Sequence, residues 1–161
     1  MIFEYMKPGE EGKVSAFVWE VFAEFEAPEY KQEGIAEFKR YILPEELKAN
    51  SDDGTLSVMC CKHKSELIGV IATRANRHIS LLFVKKEYHR QGIARKLLAK
   101  AIEDCCRANI KLCHITVNSS PYAISIYEKL GFEQTDVEQE ANGIRFTPMK
   151  LSIFKWNSVP E

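Results

Sequence analysis

A chain of 161 residues is long enough to bury one substantial core, and 45% hydrophobic with 28% charged residues is the composition of an ordinary globular protein. No apolar run approaches the length of a membrane-spanning helix, and Met1-Ile2-Phe3-Glu4-Tyr5 lacks the basic and long apolar regions of a signal peptide. A net charge of −1 argues against wholesale nucleic-acid binding; five cysteines without C-x-x-C spacing argue against a zinc site or disulfide framework and for reduced thiols, so one cytoplasmic domain over 1–161 with no bound metal is expected.

In chain order, Ile2 to Met6 reads as a short strand, broken by Pro8-Gly9. Val14, Phe17, Val18, Val21, Phe22 and Phe25 follow helical spacing, which predicts an amphipathic helix over 10–25. Ala27-Pro28 ends it. A second helix is expected over about 30–43, with Ile35, Phe38 and Ile42 on one side and Pro44 as its stop. Strands follow at 55–62 and 67–74, joined by the polar His63-Lys64-Ser65-Glu66. Ile79 to Val84 is almost wholly apolar, as expected for a central strand covered on both faces. A helix over 91–107 turns Ile93, Leu97, Leu98, Ala101, Ile102 and Cys105 inward. A strand at 112–117 precedes a short helix that Pro121 can start and Gly131 can close. Residues 132–137 and 144–154 read as a closing hairpin around Asn142-Gly143, a dipeptide suited to a type I′ turn, although a connection spanning 138–143 would be longer than two residues. The pattern is α/β, a mixed sheet with helices on both faces.

The segment His89-Arg90-Gln91-Gly92-Ile93-Ala94 lies between the apolar strand and the long helix. A glycine turn that opens a helix leaves backbone N–H groups unpaired at the positive end of the helix dipole, an arrangement suited to phosphate. Residues 85–100 carry six basic side chains against one acidic, a local balance of +5, which reinforces that reading. Gly92 permits close approach of phosphate to the backbone, and Ala94 keeps the approach open. Neither a G-x-x-x-x-G-K-[ST] loop nor a three-glycine dinucleotide fingerprint is present.

The run from Leu82 to Leu98 resembles the acyl-CoA signature of the GNAT family of N-acetyltransferases: an apolar strand ending in Val, then Q/R-x-x-G-x-G/A and a helix. Val117 to Phe132, ending Tyr127-Glu128-Lys129-Leu130-Gly131-Phe132, resembles the family's second block. His89 stands at the motif position usually held by Gln or Arg. The resemblance, to single-domain members of the bacterial type, implies a splayed, mostly antiparallel sheet of about six to seven strands with helices on both faces. It implies that Leu82, Phe83 and Val84 pair with the pantetheine arm and polarise the thioester carbonyl. The amides of His89, Arg90, Gln91, Gly92, Ile93 and Ala94 would hold the pyrophosphate. Arg90, Arg95 and Lys96 are candidates for outer phosphates, though a solvated helix face equally explains Arg95 and Lys96. The His89 ring either donates to phosphate or caps a turn. Asn118 matches a position that often bonds the cofactor arm, and also suits the start of a loop.

Tyr127 is the catalytic candidate, although its helical spacing with Ile124 and Leu130 also fits a core aromatic. The matching family tyrosine protonates the departing thiolate, as a phenol that is neutral at working pH can do. For the general base, His78, Ser80, Glu24 and Glu26 are in range of the expected cleft, but each reads singly as a solvated side chain. Phe22, Phe25 and Tyr30 fit either an acceptor pocket or the core. The acidic stretch from Glu20 to Glu37 points to a cationic amine, though charges on amphipathic helices also simply face water. These implications amount to direct transfer of acetyl from acetyl-CoA to a primary amine, small amines first. A non-catalytic CoA- or acyl-CoA-binding module and a transferase of longer acyl-CoA are the competing readings. A homodimer through the C-terminal strands is compatible with both. Cys60 and Cys61 are expected to be packing residues rather than nucleophiles.

Overall fold

In the computed structural model, which describes residues 1–158, the N-terminal strand pattern folds as β1 (Ile2–Tyr5) and the apolar helix pattern as α1 (Glu11–Phe25). A single 3-10 turn, Ala27–Glu29, leads to α2 (Gln32–Tyr41). Pro44 is not the end of helical structure. It occupies the first turn of a further helix, α3 (Pro44–Asp52), where its missing N–H costs nothing, and only Leu47 of that helix is buried. One apolar anchor in nine residues gives no helical periodicity to read from sequence.

The middle of the chain forms β2 (Leu56–His63), β3 (Glu66–Arg74) and β4 (His78–Val84), all antiparallel neighbours. Lys64 and Ser65 both take positive φ (48° and 68°), so the connection between β2 and β3 is a two-residue turn of the I′ kind. After α4 (Ile93–Ala108) come β5 (His114–Ser119), α5 (Ile124–Lys129), β6 (Glu133–Gln134), β7 (Gln139–Ala141), β8 (Ile144–Ser152) and α6 (Ile153–Ser158). Asn142 and Gly143, at φ 53° and 77°, close a two-residue turn between the Ala141 and Ile144 partners, so the connection is short after all. Phe154 belongs to α6 rather than to the strand. The sheet has eight strands in the order β1-β2-β3-β4-β5-β8-β6, with β7 pairing β8, because the closing hairpin is broken into two short strands that both lie against β8.

Strand alternation sorts the apolar residues onto two faces. Val58, Cys60, Val70, Leu81 and Phe83 pack under α1, α2 and α3 with Val18, Phe22 and Leu47. Met59, Cys61, Ile71, Ile79, Val117 and Met149 pack against α4 with Leu97, Leu98 and Ile102. Gly69 lets α4 lie close on β3, since a Cβ there would stand 3.0 Å from a Leu97 methyl.

Pairing is antiparallel throughout except between β4 and β5, which run parallel and pair only at His78↔Thr116 and Ile79↔Val117. On β3 the partners step from Thr73↔Ile79 to Ala72↔Leu81, which leaves Ser80 as an extra residue on β4. A bulge bends its strand and increases local twist. Placed just after the two paired residues, it turns the rest of β4 away from β5 and splits the sheet.

Candidate active site

A cleft of about 470 Å³ occupies the split. Its walls come from the free part of β4 (Leu82, Phe83, Val84), the turn and first residues of α4 (His89, Arg90, Gly92, Ile93, Ala94, Arg95), the last turn of α1 (Phe25, Glu26) and α5 with the loop before it (Tyr122, Tyr127). Of the thirteen residues given a donor-binding or catalytic role from sequence, Lys96 stands outside the cleft and ten line it. Gln91 and Asn118 do not: the Gln91 side chain is exposed and donates to the Glu87 carbonyl at 3.1 Å. Asn118 sits on the outward face of β5, because alternation turns Ile115, Val117 and Ser119 inward.

One end of the cleft is built to take an anion. The first backbone bond of α4 runs from Lys96 N–H to the Gly92 carbonyl at 3.0 Å. The amides of residues 90–95 have no acceptor among the described residues. Gly92 caps the helix at φ 77° and Arg90 also takes a positive φ, so the turn curls its amides toward one point. The His89 ring is committed elsewhere: Nε2 donates to the Val84 carbonyl at 2.7 Å, which pins the turn to the end of β4. Of the basic side chains, Lys85 pairs with Glu66, Lys86 pairs with Glu24 at 3.0 Å, and the Arg95 guanidinium lies 4.5 Å from the centre of the Trp156 ring. Arg90 and Lys96 are exposed and have no carboxylate partner among the described residues. Orphan amides, a glycine cap and a free arginine fit the pyrophosphate of a CoA thioester, and β4 beyond Ile79 presents an unpaired edge on which an extended arm can lie.

The other end holds two acid–base groups. Glu26 follows the last residue of α1, and its carboxylate is half-buried beneath the loop that precedes α5, where Ser120 Oγ donates a hydrogen bond to Oε1. Burial pushes its pKa up to about 7; the Ser120 hydrogen bond opposes this and the nearby Glu29 carboxylate adds to it. Tyr127 is 6% exposed, and burial first, then the charge of Glu26, drives its phenol well above the usual tyrosine value. No hydrogen-bond partner for its hydroxyl occurs among the described residues. Its placement depends on how α5 ends. Gly131 at φ 103° lets Phe132 N–H return to the Tyr127 carbonyl and Gly131 N–H to the Glu128 carbonyl, both at 3.0 Å, and Phe132 then packs edge-on against the Tyr127 ring at 5.2 Å.

The last turn of α1 thus straps the two sides of the split. Phe25 packs at 5.3 Å from the His89 ring on one side and stacks on Tyr122 at 5.2 Å on the other. The remaining base candidates are placed differently. Glu24 is exposed and held by Lys86, the His78 ring bonds Thr116 Oγ1 at 2.8 Å outside the cleft, and Ser80 is absorbed in the bulge. Phe22 is core, stacked on Phe38 at 3.9 Å. Cys60 and Cys61 are buried on opposite faces of β2, and burial pushes the Cys60 thiol up to about 12, so neither is poised as a nucleophile. Glu26 was the residue hardest to single out from sequence. Its only local signal is an acidic residue at the end of an apolar helix just before Ala27-Pro28.

Comparison with known proteins agrees with this geometry. The fold is shared with a GCN5-related N-acetyltransferase from Rhodopseudomonas palustris (TM-score 0.75, 18% identity, covering 94% of this chain and 95% of that one). It is shared equally with the PaiA N-acetyltransferase of Thermoplasma acidophilum, solved in complex with coenzyme A (TM-score 0.74, 21% identity, 94% and 99%). A Caenorhabditis elegans protein, N-alpha-acetyltransferase daf-31, is 29% identical over 63% of this chain, and the match spans 63% of that relative's length. The family model described as an acetyltransferase (GNAT) domain matches residues 26–153, from Glu26 to the start of α6, and the chain belongs to the GNAT acetyltransferase family.

Proposed function

We propose that the protein is an acetyl-CoA-dependent N-acetyltransferase that moves the acetyl group directly to a primary amine, with small cationic amines as the first acceptor class. One observation carries the reading: a single cleft joins the orphan amides of residues 90–95 to Glu26 and Tyr127.

Acetyl-CoA supplies the activated acetyl group. The amides of 90–95, with Arg90, hold its phosphates, and the free edge of β4 from Leu82 to Val84 carries its arm and polarises the thioester carbonyl. An amine at neutral pH is protonated, so the acceptor must both be bound as a cation and lose a proton before it attacks. Glu26, poised near neutrality, suits both tasks. Tyr127, kept neutral by burial, gives its proton to the departing thiolate. The C–N bond forms as the C–S bond breaks; of the two protons the ammonium loses, one balances the proton Tyr127 gives to sulfur and restores its phenol, and the other leaves through Glu26 to solvent. No enzyme-bound acyl group is needed, which agrees with the inert placement of the cysteines.

A second reading, the α-amino group of a polypeptide as acceptor, is supported by the name of the nematode relative. Thiol release from acetyl-CoA over a panel of spermidine, an aminoglycoside, short peptides with free N-termini, and neutral and anionic amines separates the two. Release with the small cationic amines, faster than with neutral or anionic ones, is expected. Release with peptides alone moves the acceptor to the second reading. Absence of release with every amine, despite measurable CoA binding, would overturn the enzymatic reading in favour of a binding module.

A further inference from the structure

Ser120 is one of the few buried polar residues, 5% exposed, and it does not itself line the cleft. Its hydroxyl makes two contacts in opposite senses. It donates to Glu26 Oε1, and it accepts the Ala123 N–H at 3.2 Å. Ala123 caps α5, and its carbonyl receives the Tyr127 N–H at 3.0 Å. A chain of hydrogen bonds therefore runs from the Glu26 carboxylate through Ser120 to the backbone turn that carries Tyr127. A hydroxyl has one proton, and the Ala123 amide occupies its acceptor side, so that proton is directed at the carboxylate. Ser119, next door, donates to the Ser120 carbonyl at 2.8 Å and is closed to this role.

We infer that Ser120 is a positioning residue for the transfer reaction: it fixes the Glu26 carboxylate relative to α5 and stabilises its ionised form, so that base and acid are held in one frame. The inference rests on the reading of Glu26 as the base.

A carboxylate in this position faces few groups that could stabilise its charge. Glu24 and Glu29 lie on its own segment, Tyr30 follows them, and Tyr122 and Tyr127 face it from the other wall. All of these are acidic or neutral, Lys86 is held by Glu24, and none of the cations that line the cleft, Arg90, Arg95 and Lys129, pairs with Glu26 among the described residues. Ser120 is the only hydrogen-bond donor to the Glu26 carboxylate among the described residues. Loss of a hydrogen bond to a half-buried charge then has nothing to offset it.

The test does not need the natural acceptor. With glutamate carboxyl carbons labelled, the Glu26 resonance is identified by its disappearance in Glu26→Gln and titrated by NMR in the otherwise intact chain. Ser120→Ala should raise the titration midpoint by about one unit, which is about a tenfold loss of ionised base below neutrality. Ser120→Cys, near in volume but a poor donor, should raise it in the same direction, and Ser120→Thr should return it toward wild type. Ser120→Cys serves if the alanine variant does not fold. A purely structural role for Ser120 in capping α5 would lower thermal stability without moving the midpoint; an unmoved midpoint in Ser120→Ala or Ser120→Cys overturns the inference. Turnover of Glu26→Gln with spermidine or a short peptide reports on the base itself. If that variant keeps wild-type turnover, the base assignment falls and Ser120 falls with it. If Glu26→Gln is inactive and the serine variants titrate as wild type, only Ser120 falls.

Discussion

A carboxylate that titrates near 7 inside a fold is held there at the expense of stability. Glu26 has its folded pKa raised from 4.5 to about 7, so the folded state binds the extra proton, and stability falls as pH rises through that window. Replacing Glu26 by Gln removes the charge without removing the volume. The variant should therefore unfold at a higher temperature than wild type at pH 8, by about 1–3 kcal/mol in stability, with the difference vanishing near pH 4.5. Thermal unfolding across this pH range checks both the sign and the window. Equal pH dependence in the two proteins would mean that Glu26 is solvated. At this scale the sequence was informative where local chemistry is sufficient. Gly92 and Tyr127 are legible because a helix-opening glycine and a Tyr-Glu-Lys-Leu-Gly-Phe block carry their meaning in neighbouring residues. Glu26 was not, because its burial and its partner Ser120 arrive from 94 positions away. Asn118 was singled out through the family resemblance, yet strand alternation turns its side chain outward, and the hydroxyl that meets Glu26 belongs to Ser120.

Among elements, the decisive feature is the bulge at Ser80. Without it β4 and β5 could continue their parallel pairing, and the cleft would be filled by sheet. Nothing in an apolar strand pattern announces one extra residue, so only the family resemblance pointed to a splayed sheet. The turns were more readable. Asn142-Gly143 forms the two-residue turn its chemistry favours. What sequence could not convey is that this turn lands on α2. Gly34 and Gly143 meet backbone to backbone: a Cβ on Gly34 would stand 2.2 Å from the Gly143 carbonyl oxygen, and Lys31 pairs with Glu140 at 2.8 Å alongside. Because the obstruction is backbone on both sides, no side chain can swing aside. Gly34→Ala should lift the hairpin from α2 and cost about 1–3 kcal/mol, a drop of several degrees in unfolding temperature, while CoA binding at the N-terminus of α4 stays unchanged. Wild-type unfolding temperature in this variant would show that the hairpin is not held there.

For the whole molecule, two apolar layers on either side of one sheet set the positions of everything else. α4 is fixed by its buried face on β3, which delivers its N-terminus to the end of β4; α1 is fixed on the other layer, which delivers Phe25 and Glu26 across the split. Charge follows the same division. The basic stretch gathers around the turn that opens α4, and the carboxylates gather at the α1–α2 end, a separation that suits the proposed pairing of an anionic donor with a cationic acceptor. Four acidic contacts temper that picture, since Lys85, Lys86, Lys31 and Arg40 are each paired. No helix among the described residues is long and apolar enough to cross a membrane. The central claim is that one cleft binds the acetyl donor through backbone amides and carries out proton transfer through Glu26 and Tyr127. The most direct test is to measure acetyl-CoA affinity and turnover side by side for wild type, Glu26→Gln and Tyr127→Phe, using the best amine of the panel. Affinity should stay at the wild-type level in both variants while turnover falls about a hundredfold or more in Glu26→Gln and clearly in Tyr127→Phe; undiminished turnover, or affinity that collapses together with it, would contradict the account.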